Sequence, residues 1–274
     1  MTSPYGENNM GEFQLQFLGT GSAFTVGDNN YQSNVLITAP SGKRLLLDCG
    51  SDARFSLHEL GLQPTDIDAV YISHPHADHI GGLEWLAFST CFLPNRVKPK
   101  LLVSRVFVSD LWNRSLAGGL ASIEGEVVDL NYYFEVKPIR SNGSFVWEGV
   151  RFQLVQVVHI MNNFSLVPSF GLLFTLNGQR IFFTSDTQFS PKQIGKFYRM
   201  ADLILQDCET SPYPSGVHAH YSDLRTLPEE IKRKMWLYHY QPGQKPEAGA
   251  DGFAGFIRKH QIFEFAADTA EQAA

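Results

Sequence analysis

The sequence has few cysteines, and this shortage argues against a small protein held together by disulfides. The 274 residues include three cysteines, Cys49, Cys91 and Cys208, which are odd in number and far apart. This spacing argues against a disulfide framework and offers no Cys-x-x-Cys pair for a metal. We therefore expect three small, mostly buried side chains and a reducing, cytoplasmic location.

Long apolar segments are absent as well. No stretch approaches the roughly 20 apolar residues of a membrane-spanning helix, so no membrane partner is expected. Residues 1–11 are polar and lack the basic start and apolar centre of a signal peptide, which predicts a flexible N-terminus. Residues 12–274 are predicted to form a single domain, because 43% of the chain is hydrophobic and can supply a substantial core.

Clustered positive charge is also missing. The formal net charge is −6, and the densest basic group, residues 232–234, follows Glu229 and Glu230 as on a solvated helix face. Clustered Lys and Arg supply most of the affinity of a protein for a polyanion. Long nucleic acids are therefore not expected as partners, and a small substrate fits this composition better.

What the sequence does contain is a dense group of metal-ligand side chains. Four of them lie within six positions: His74, His76, Asp78 and His79. The apolar run from Ile67 to Ile72 predicts a buried strand that ends just before them, and residues 79–87 predict a helix. Two histidines two residues apart in an extended stretch point to the same side and can reach one ion.

Three further candidates follow or end apolar runs later in the chain. His159 follows the alternating run of residues 152–158, Asp186 follows residues 180–185, and His239 lies in the aromatic run of residues 235–240. Taken singly, each has a structural explanation, since buried histidines occur in cores and aspartates cap turns. Their shared position at predicted strand ends favours a joint role as metal ligands.

The pattern His-x-His-x-Asp-His of residues 74–79 resembles the signature of the metallo-β-lactamase fold superfamily, and the resemblance covers nearly the whole chain. It implies two divalent metal ions, with zinc preferred and manganese or iron as alternatives. It assigns His74, His76 and His159 to one ion. It assigns Asp78, His79 and His239 to the other ion, with Asp186 as the bridge between them. Asp48, in an Asp-x-Gly element, is expected to brace a ligand through a hydrogen bond.

Later elements point to one branch of this superfamily. Zinc β-lactamases place a Cys or a further His where this chain has Asp186, which argues against antibiotic hydrolysis. Residues 18–21, 207–210 and 218–222 resemble elements of ribonuclease Z and its cyclic-nucleotide phosphodiesterase relatives. The resemblance implies that Glu209 orients a histidine that protonates the leaving oxygen, because an alkoxide leaves poorly. His220 is preferred as this acid, His218 is the alternative, and two surface histidines on a Pro- and Gly-rich loop are the structural explanation.

The elements together predict an α/β (α+β) fold, a four-layer αββα sandwich with the metals in a cleft at one edge. The expected function is that of a di-metal-dependent hydrolase, a phosphodiesterase that cleaves small cyclic nucleotides or similar phosphodiesters through a metal-bridging hydroxide. Its catalytic residues would be Asp78, His220 and Glu209. A ribonuclease Z-like tRNA 3′-processing endonuclease and a lactone or ester hydrolase are the alternatives, whereas the complete ligand set disfavours a metal-bearing scaffold protein.

Several secondary expectations accompany this prediction. The resemblance implies a homodimer, with Phe88, Phe92 and Trp112 helping to bury the contact or shape the pocket. An aromatic wall for a nucleobase is expected from side chains close to the ligands in sequence, namely Tyr238, Tyr240 and Phe164. In the less regular middle of the chain, residues 106–116 predict a helix and residues 127–136 predict a strand.

Overall fold

The computed structural model describes residues 12–163 and 165–266. The predicted flexible N-terminus, residues 1–11, and the predicted wall residue Phe164 lie outside the described residues. In chain order the strands are β1 Phe13–Phe17, β2 Val35–Thr38, β3 Arg44–Leu47, β4 Ala69–Ile72, β5 Lys100–Ser104, β6 Glu135–Ile139, β7 Ser144–Trp147, β8 Val150–Asn162, β9 Ser165–Leu176, β10 Gln179–Phe183, β11 Leu203–Asp207, β12 Met235–Tyr238, β13 Gly255–Phe256 and β14 Ile262–Phe265.

Along the chain, the helices occur in the segments that connect successive parallel strands. They are α1 Ala53–Glu59, α2 Ala77–Ile80, α3 Leu83–Cys91, α4 Val108–Asp110, α5 Ala117–Leu120, α6 Leu130–Tyr133, α7 Pro191–Met200, α8 Tyr221–Leu224 and α9 Glu229–Lys232. A 3₁₀ turn covers Pro64–Asp66, and a π-helical segment, Leu111–Leu116, joins α4 to α5. Over the two described ranges, none of the helices is long and apolar enough to cross a membrane.

The strands form two mixed sheets of seven strands each. The first has the order β14-β1-β2-β3-β4-β5-β6 and the second the order β13-β12-β11-β10-β9-β8-β7. In each sheet four neighbouring strands run parallel, from β3 to β6 and from β10 to β13. Parallel strands end at the same edge of a sheet, and open α/β sheets bind ligands beyond those carboxyl ends.

Alternating side chains divide the apolar residues between two cores, because successive residues of a strand point to opposite faces. In β10, Phe183 belongs to the core that joins the two sheets, while its neighbour Phe182 packs outward with Ile194 of α7. Between the sheets, the rings of Phe17 and Tyr238 lie 5.3 Å apart. The predicted four-layer αββα sandwich is confirmed.

The predicted helix of residues 79–87 is divided in two. α2 and α3 are separated by Gly81 and Gly82, and a Cβ atom at Gly82 would lie 2.4 Å from the Gly50 carbonyl oxygen. Since no side chain fits there, the two glycines let the chain pass close to the loop after β3. The periodicity of the apolar residues carried no sign of this close approach.

The predicted strand of residues 127–136 is wrong over most of its length. Asp129 caps α6 by accepting hydrogen bonds from the backbone N–H groups of Asn131 and Tyr132, and strand β6 begins only at Glu135. Leu130 and Tyr133, three residues apart, bury one face of this short helix. An aspartate that satisfies the free N–H groups of a first helical turn outweighs the strand preference of the following residues.

The two longest strands also extend beyond their predicted ends. The alternating run predicted from residues 152–158 continues in β8 to Asn162, which pairs with Ser165 at the start of β9. His159 therefore lies within β8, at a register shift between Val158 and Ile160 that disturbs the alternation. The three cysteines are buried and unpaired, as predicted.

Candidate metal centre

The seven predicted metal ligands meet at the edge where the parallel strands end. The turn after β4 supplies His74 and His76, α2 supplies Asp78 and His79, and the register shift in β8 supplies His159. Asp186 follows β10 and His239 follows β12, so both sheets contribute. The structure brings all seven side chains together, in two groups that share Asp186.

Three residues next to this centre have unusual backbone conformations. Asp48, Ser185 and His239 have φ angles of 63°, 53° and 66°, and each lies within two residues of the end of a parallel strand. A positive φ is uncommon for residues other than glycine and costs on the order of 1–3 kcal/mol at each position. Such conformations concentrate at functional sites, where the surrounding fold holds them in place.

The first ligand group converges through imidazole nitrogens. His74 Nε2 lies 2.9 Å and His159 Nε2 lies 3.2 Å from His76 Nδ1. Asp186 Oδ2 is 3.7 Å from His74 Nε2 and 3.8 Å from His159 Nε2. Three ring nitrogens therefore face one another around a small space that opens onto a carboxylate oxygen.

The second group contains two carboxylates. Asp78 Oδ2 lies 3.1 Å from His79 Nε2 and 3.2 Å from His239 Nε2. Asp186 Oδ2 lies 3.2 Å and 3.5 Å from the same two nitrogens. Because this one oxygen also closes the first group, Asp186 has the position of a bridging ligand between two ions.

Hydrogen bonds behind the ligands fix which ring nitrogen faces the centre. His79 Nδ1 donates to Asp48 Oδ2 at 2.7 Å, and His159 Nδ1 donates to the Val217 carbonyl at 2.8 Å. His74 Nδ1 lies 3.1 Å from Ser73 Oγ, which in turn donates to Asp48. These bonds leave the Nε2 lone pairs of His74, His79 and His159 free to bind a metal. Asp48 has the bracing role expected from its Asp-x-Gly element.

The donor set fits two divalent cations. Asp186 Oδ1 is buried and accepts no hydrogen bond from the described residues, which is rare for a buried carboxylate oxygen. Facing imidazole lone pairs likewise repel one another unless a proton or a cation lies between them. Imidazole nitrogens with carboxylate oxygens are ligands for zinc, manganese or iron, so a pair of such ions would satisfy these atoms.

The pKa shifts agree with this arrangement. Burial lowers the pKa of His74, His76 and His159, which favours the neutral imidazoles that ligate metals. Burial opposes protonation of His79 and His239 as well, but carboxylates, Asp186 foremost, raise the pKa of both well above the usual value. Burial also disfavours ionised Asp186, yet His239 and His79 hold its pKa well below the usual range. The carboxylate side of the centre therefore attracts positive charge.

The structure brings His218, not His220, to this centre. His218 Nδ1 donates to Asp207 Oδ2 at 2.9 Å, and the His218 ring centroid lies 4.9 Å from that of His159 and 4.7 Å from that of His239. Burial disfavours the protonated ring, but the charge of Asp207 and its hydrogen bond outweigh burial and raise the pKa of His218 above the usual value. Asp207 thus holds a protonatable imidazole against the ligands.

His220 and Glu209 lie in the loop beside the centre. His220 Nε2 donates to the Ser211 carbonyl at 2.9 Å, and His220 Nδ1 accepts from Ser222 Oγ at 2.8 Å where it caps α8. The Glu209 carboxylate accepts from Ser211 and Ser215. No hydrogen bond between the side chains of Glu209 and His220 is made among the described residues, so the expected orienting contact is replaced by these loop contacts.

Asp207 is the site residue whose role the sequence prediction missed. It ends the buried strand β11 in the second sheet, as Asp48 follows β3 in the first. Its other oxygen, Oδ1, lies 3.4 Å from His239 Nδ1, although neither atom makes a hydrogen bond of normal geometry with the residues that the structure describes. A carboxylate at the end of a second parallel strand was the sequence signal that could have identified it.

The centre opens into a cleft of about 360 Å³. Its polar lining includes His76, Asp78, His159, Asp186 and His218, and its apolar lining includes Phe24, Ile160 and Val217. Tyr238 and Tyr240, which were predicted to form an aromatic wall for a base, are not among the described residues that line this cleft. Tyr238 is packed between Phe17 and Phe183, and Tyr240 is buried with its hydroxyl bonded to Thr20 and Ile257.

Comparison with known proteins identifies close relatives in sequence. The family model described as Anti-Pycsar protein Apyc1 matches residues 13–263. An Anti-Pycsar protein Apyc1 of Paenibacillus harenae is 34% identical over 255 residues, covering 91% of this chain and 99% of its own. The protein of the same name from Bacillus phage vB_BveM-Goe7 is 32% identical over 256 residues, with coverage of 90% and 96%.

Solved structures with little sequence identity share the fold. The metallo-β-lactamase fold protein YhfI from Bacillus subtilis superposes with a TM-score of 0.70 at 15% identity, covering 92% of this chain and 99% of its own. The short form of human tRNase Z has a TM-score of 0.66 at 18% identity, with coverage of 91% and 98%. A diphosphatase of the PhnP family also has a TM-score of 0.66, at 19% identity, with coverage of 93% and 97%.

Proposed function

Because the chain belongs to the Anti-Pycsar protein Apyc1 family, we propose that it is a metal-dependent phosphodiesterase that hydrolyses small cyclic nucleotides. Fold and family together support a metallo-hydrolase of the phosphodiesterase and ribonuclease Z branch. The cyclic-nucleotide substrate is the more specific part of the proposal.

One observation carries the proposal: two ligand groups share Asp186, which lines a small cleft, and an imidazole oriented by a carboxylate lies beside them. His74, His76 and His159 would hold one ion, Asp78, His79 and His239 the other, and Asp186 both. Two bound divalent ions supply a water-derived nucleophile and neutralise charge on a phosphodiester. This combination suits attack on phosphorus with departure of an alkoxide.

His218 is the best-placed group to protonate that alkoxide. Its Nδ1–H is committed to Asp207 Oδ2, so the proton for the leaving oxygen is held at the opposite nitrogen, Nε2. Asp207 fixes the orientation of the ring and favours its protonated form. We therefore assign the acid to His218 with Asp207. Glu209 and His220, the pair preferred from sequence, would instead hold together the loop that carries His218.

The competing activity is hydrolysis of a lactone or ester, in which the same nucleophile would attack a carbonyl carbon instead of phosphorus. The discriminating experiment compares kcat/KM of the zinc- or manganese-loaded protein for 2′,3′- and 3′,5′-cyclic mononucleotides with that for a lactone panel. Efficient opening of the cyclic phosphate to a nucleoside monophosphate is expected. Lactone turnover without phosphodiester turnover would overturn the proposal.

Asp186→Asn is the matched control for this comparison. The substitution keeps the size of the side chain but removes the charge that both ligand groups share, so phosphodiester turnover should fall together with the metal content. Residual activity that survives this change and added chelator would come from a contaminating enzyme.

A further inference from the structure

Phe24 is the most exposed large apolar side chain that borders the metal cleft. Its exposed fraction is 93%, whereas the aromatic rings of Tyr238 and Tyr240 near the ligands are buried. A single exposed phenylalanine is ordinary on a protein surface. Phe24 also lines the same cleft as four of the predicted metal ligands, and this calls for a functional explanation.

The loop that carries Phe24 is held by its backbone. Gly21 N–H donates to the Tyr31 carbonyl at 2.9 Å, Ser22 N–H donates to the Tyr240 carbonyl at 3.1 Å, and Thr25 N–H donates back to Ser22 at 3.0 Å. On the cleft side, the Gln32 amide nitrogen donates to the Ala23 carbonyl at 3.0 Å. Phe24 is therefore presented from a fixed turn while its own ring makes little contact with the protein.

The cleft is lined by both polar and apolar residues, and a cyclic nucleotide has a charged phosphate and an aromatic base. The metal ligands and His218 suit a phosphate, while Phe24, Ile160 and Val217 offer apolar surface in the same cleft. A volume of about 360 Å³ holds a compact ligand. With the phosphate at the metals, the apolar residues of the lining are the surface left for the base of a mononucleotide, and Phe24 is the most exposed of them.

We propose that Phe24 is the platform on which the base of the substrate stacks, which makes it a specificity-determining residue for nucleotides over base-free phosphodiesters. This inference rests on the proposed phosphodiesterase function. Every base has a π face, so stacking on a phenylalanine favours nucleotides without strongly selecting one base. Substrates with different bases should accordingly have similar KM values.

The test compares two substrates across four proteins. The substrates are a cyclic mononucleotide and the same cyclic ribose phosphate with a methoxy group in place of the base. The proteins are the wild type, Phe24→Ala, Phe24→Tyr and the control Val26→Ala. Val26 lies on the same loop with an exposed fraction of 87% but is not among the residues that line the cleft.

Phe24→Ala should raise KM for the cyclic nucleotide about tenfold or more, with kcat and metal content nearly unchanged, because stacking is lost equally from the bound substrate and the transition state. The base-free substrate should be unaffected by the change. Phe24→Tyr should restore the wild-type KM, and Val26→Ala should match the wild type throughout.

Some outcomes would overturn the stacking role of Phe24 and leave the proposed phosphodiesterase function intact. An equal loss for both substrates, or no loss for either, would show that the base does not stack on Phe24. A change in molecular mass of Phe24→Ala in solution would show that Phe24 instead joins copies of the chain. If the wild type hydrolyses neither phosphodiester, the proposed function fails. The dissociation constant of a nucleoside monophosphate for wild type and Phe24→Ala then tests stacking directly, and equal values would overturn it.

Discussion

His76 is the metal-ligand candidate whose removal disturbs the rest of the molecule least. It is half-buried, whereas His74 and His159, which face it, are buried. His76→Ala should lower the metal content below two ions per chain and abolish most turnover, since an ion loses one of three imidazoles. Elemental analysis of the purified variant, alongside kcat/KM for a cyclic nucleotide, measures both effects.

His58→Ala is the control for this variant, because His58 is an exposed histidine of α1 outside both ligand groups. It should keep wild-type metal content and turnover. A His76→Ala protein with two ions per chain and near-normal activity would contradict the ligand assignment.

The two histidines of the loop before α8 give a second residue-scale prediction. His218→Asn should lower kcat about 100-fold or more for a cyclic nucleotide, because the alkoxide then leaves without a proton. The loss should be much smaller for a p-nitrophenyl phosphodiester, whose leaving group needs no acid. His220→Asn should reduce stability through the lost contacts with Ser211 and Ser222 but keep most of kcat.

Metal content separates the two roles that His218 can have. The side chains of Asp186, Asp207, His218 and His239 also converge closely enough to hold an ion. Wild-type metal content in His218→Asn supports the role of an acid, while loss of one ion would reassign His218 as a ligand. A larger kcat loss in His220→Asn than in His218→Asn would restore the pair preferred from sequence.

At the scale of elements, the loop after β3 and the helix α2 approach each other through glycine. A Cβ atom at Gly50 would lie 2.2 Å from the Asp78 carbonyl oxygen, so any side chain there must displace the backbone of a ligand. Gly50→Ala should lower the free energy of unfolding by about 1–3 kcal/mol and weaken metal binding. Thermal unfolding with and without added zinc measures the two effects.

Gly118→Ala is the matched substitution for this test. Gly118 is exposed in the short helix α5, and a Cβ atom there would meet no atom within 4 Å. Since alanine favours a helix by about 1 kcal/mol over glycine, this variant should be as stable as the wild type or slightly more so. Equal stability of Gly50→Ala and Gly118→Ala would mean that the loop tolerates a side chain beside Asp78.

The places of His74 and Asp186 beyond strand ends were predictable because each follows an apolar run that is visible in the sequence, whereas β8 continues past His159. His74 and His76 could even be assigned to one side, since their spacing matches the period of an extended chain. The choice between His218 and His220 was not predictable, because it depends on which of them reaches Asp207 across the sheet edge. The cap at Asp129 and the close passage at Gly82 likewise depend on local geometry that hydrophobic periodicity does not encode.

At the scale of the whole molecule, the expected homodimer stays a prediction. The ring of Phe92 has an exposed fraction of 66% and is stacked on Phe88 at 5.6 Å, while Trp112 is partly buried against the core. Light scattering at working concentration should give twice the chain mass, and Phe92→Ser should lower it toward the monomer. Phe55→Ser, at an exposed phenylalanine of α1, is the control. A wild-type protein with the mass of one chain would contradict the predicted homodimer.

The charge of the molecule predicts that a precursor tRNA is a poor substrate. The net charge is −6, and no Lys or Arg is among the described residues that line the metal cleft. A protein that binds a long nucleic acid neutralises several phosphates and loses affinity steeply as salt rises, whereas a cyclic mononucleotide carries one charge. We expect kcat/KM for a cyclic nucleotide to exceed that for trailer removal from a precursor tRNA, and to change little between low and physiological salt. Measuring both substrates over the same salt series checks the prediction. Efficient trailer removal with a steep salt dependence would establish a basic tRNA surface elsewhere on the chain and reverse the substrate ranking, while the ligand assignment would stand.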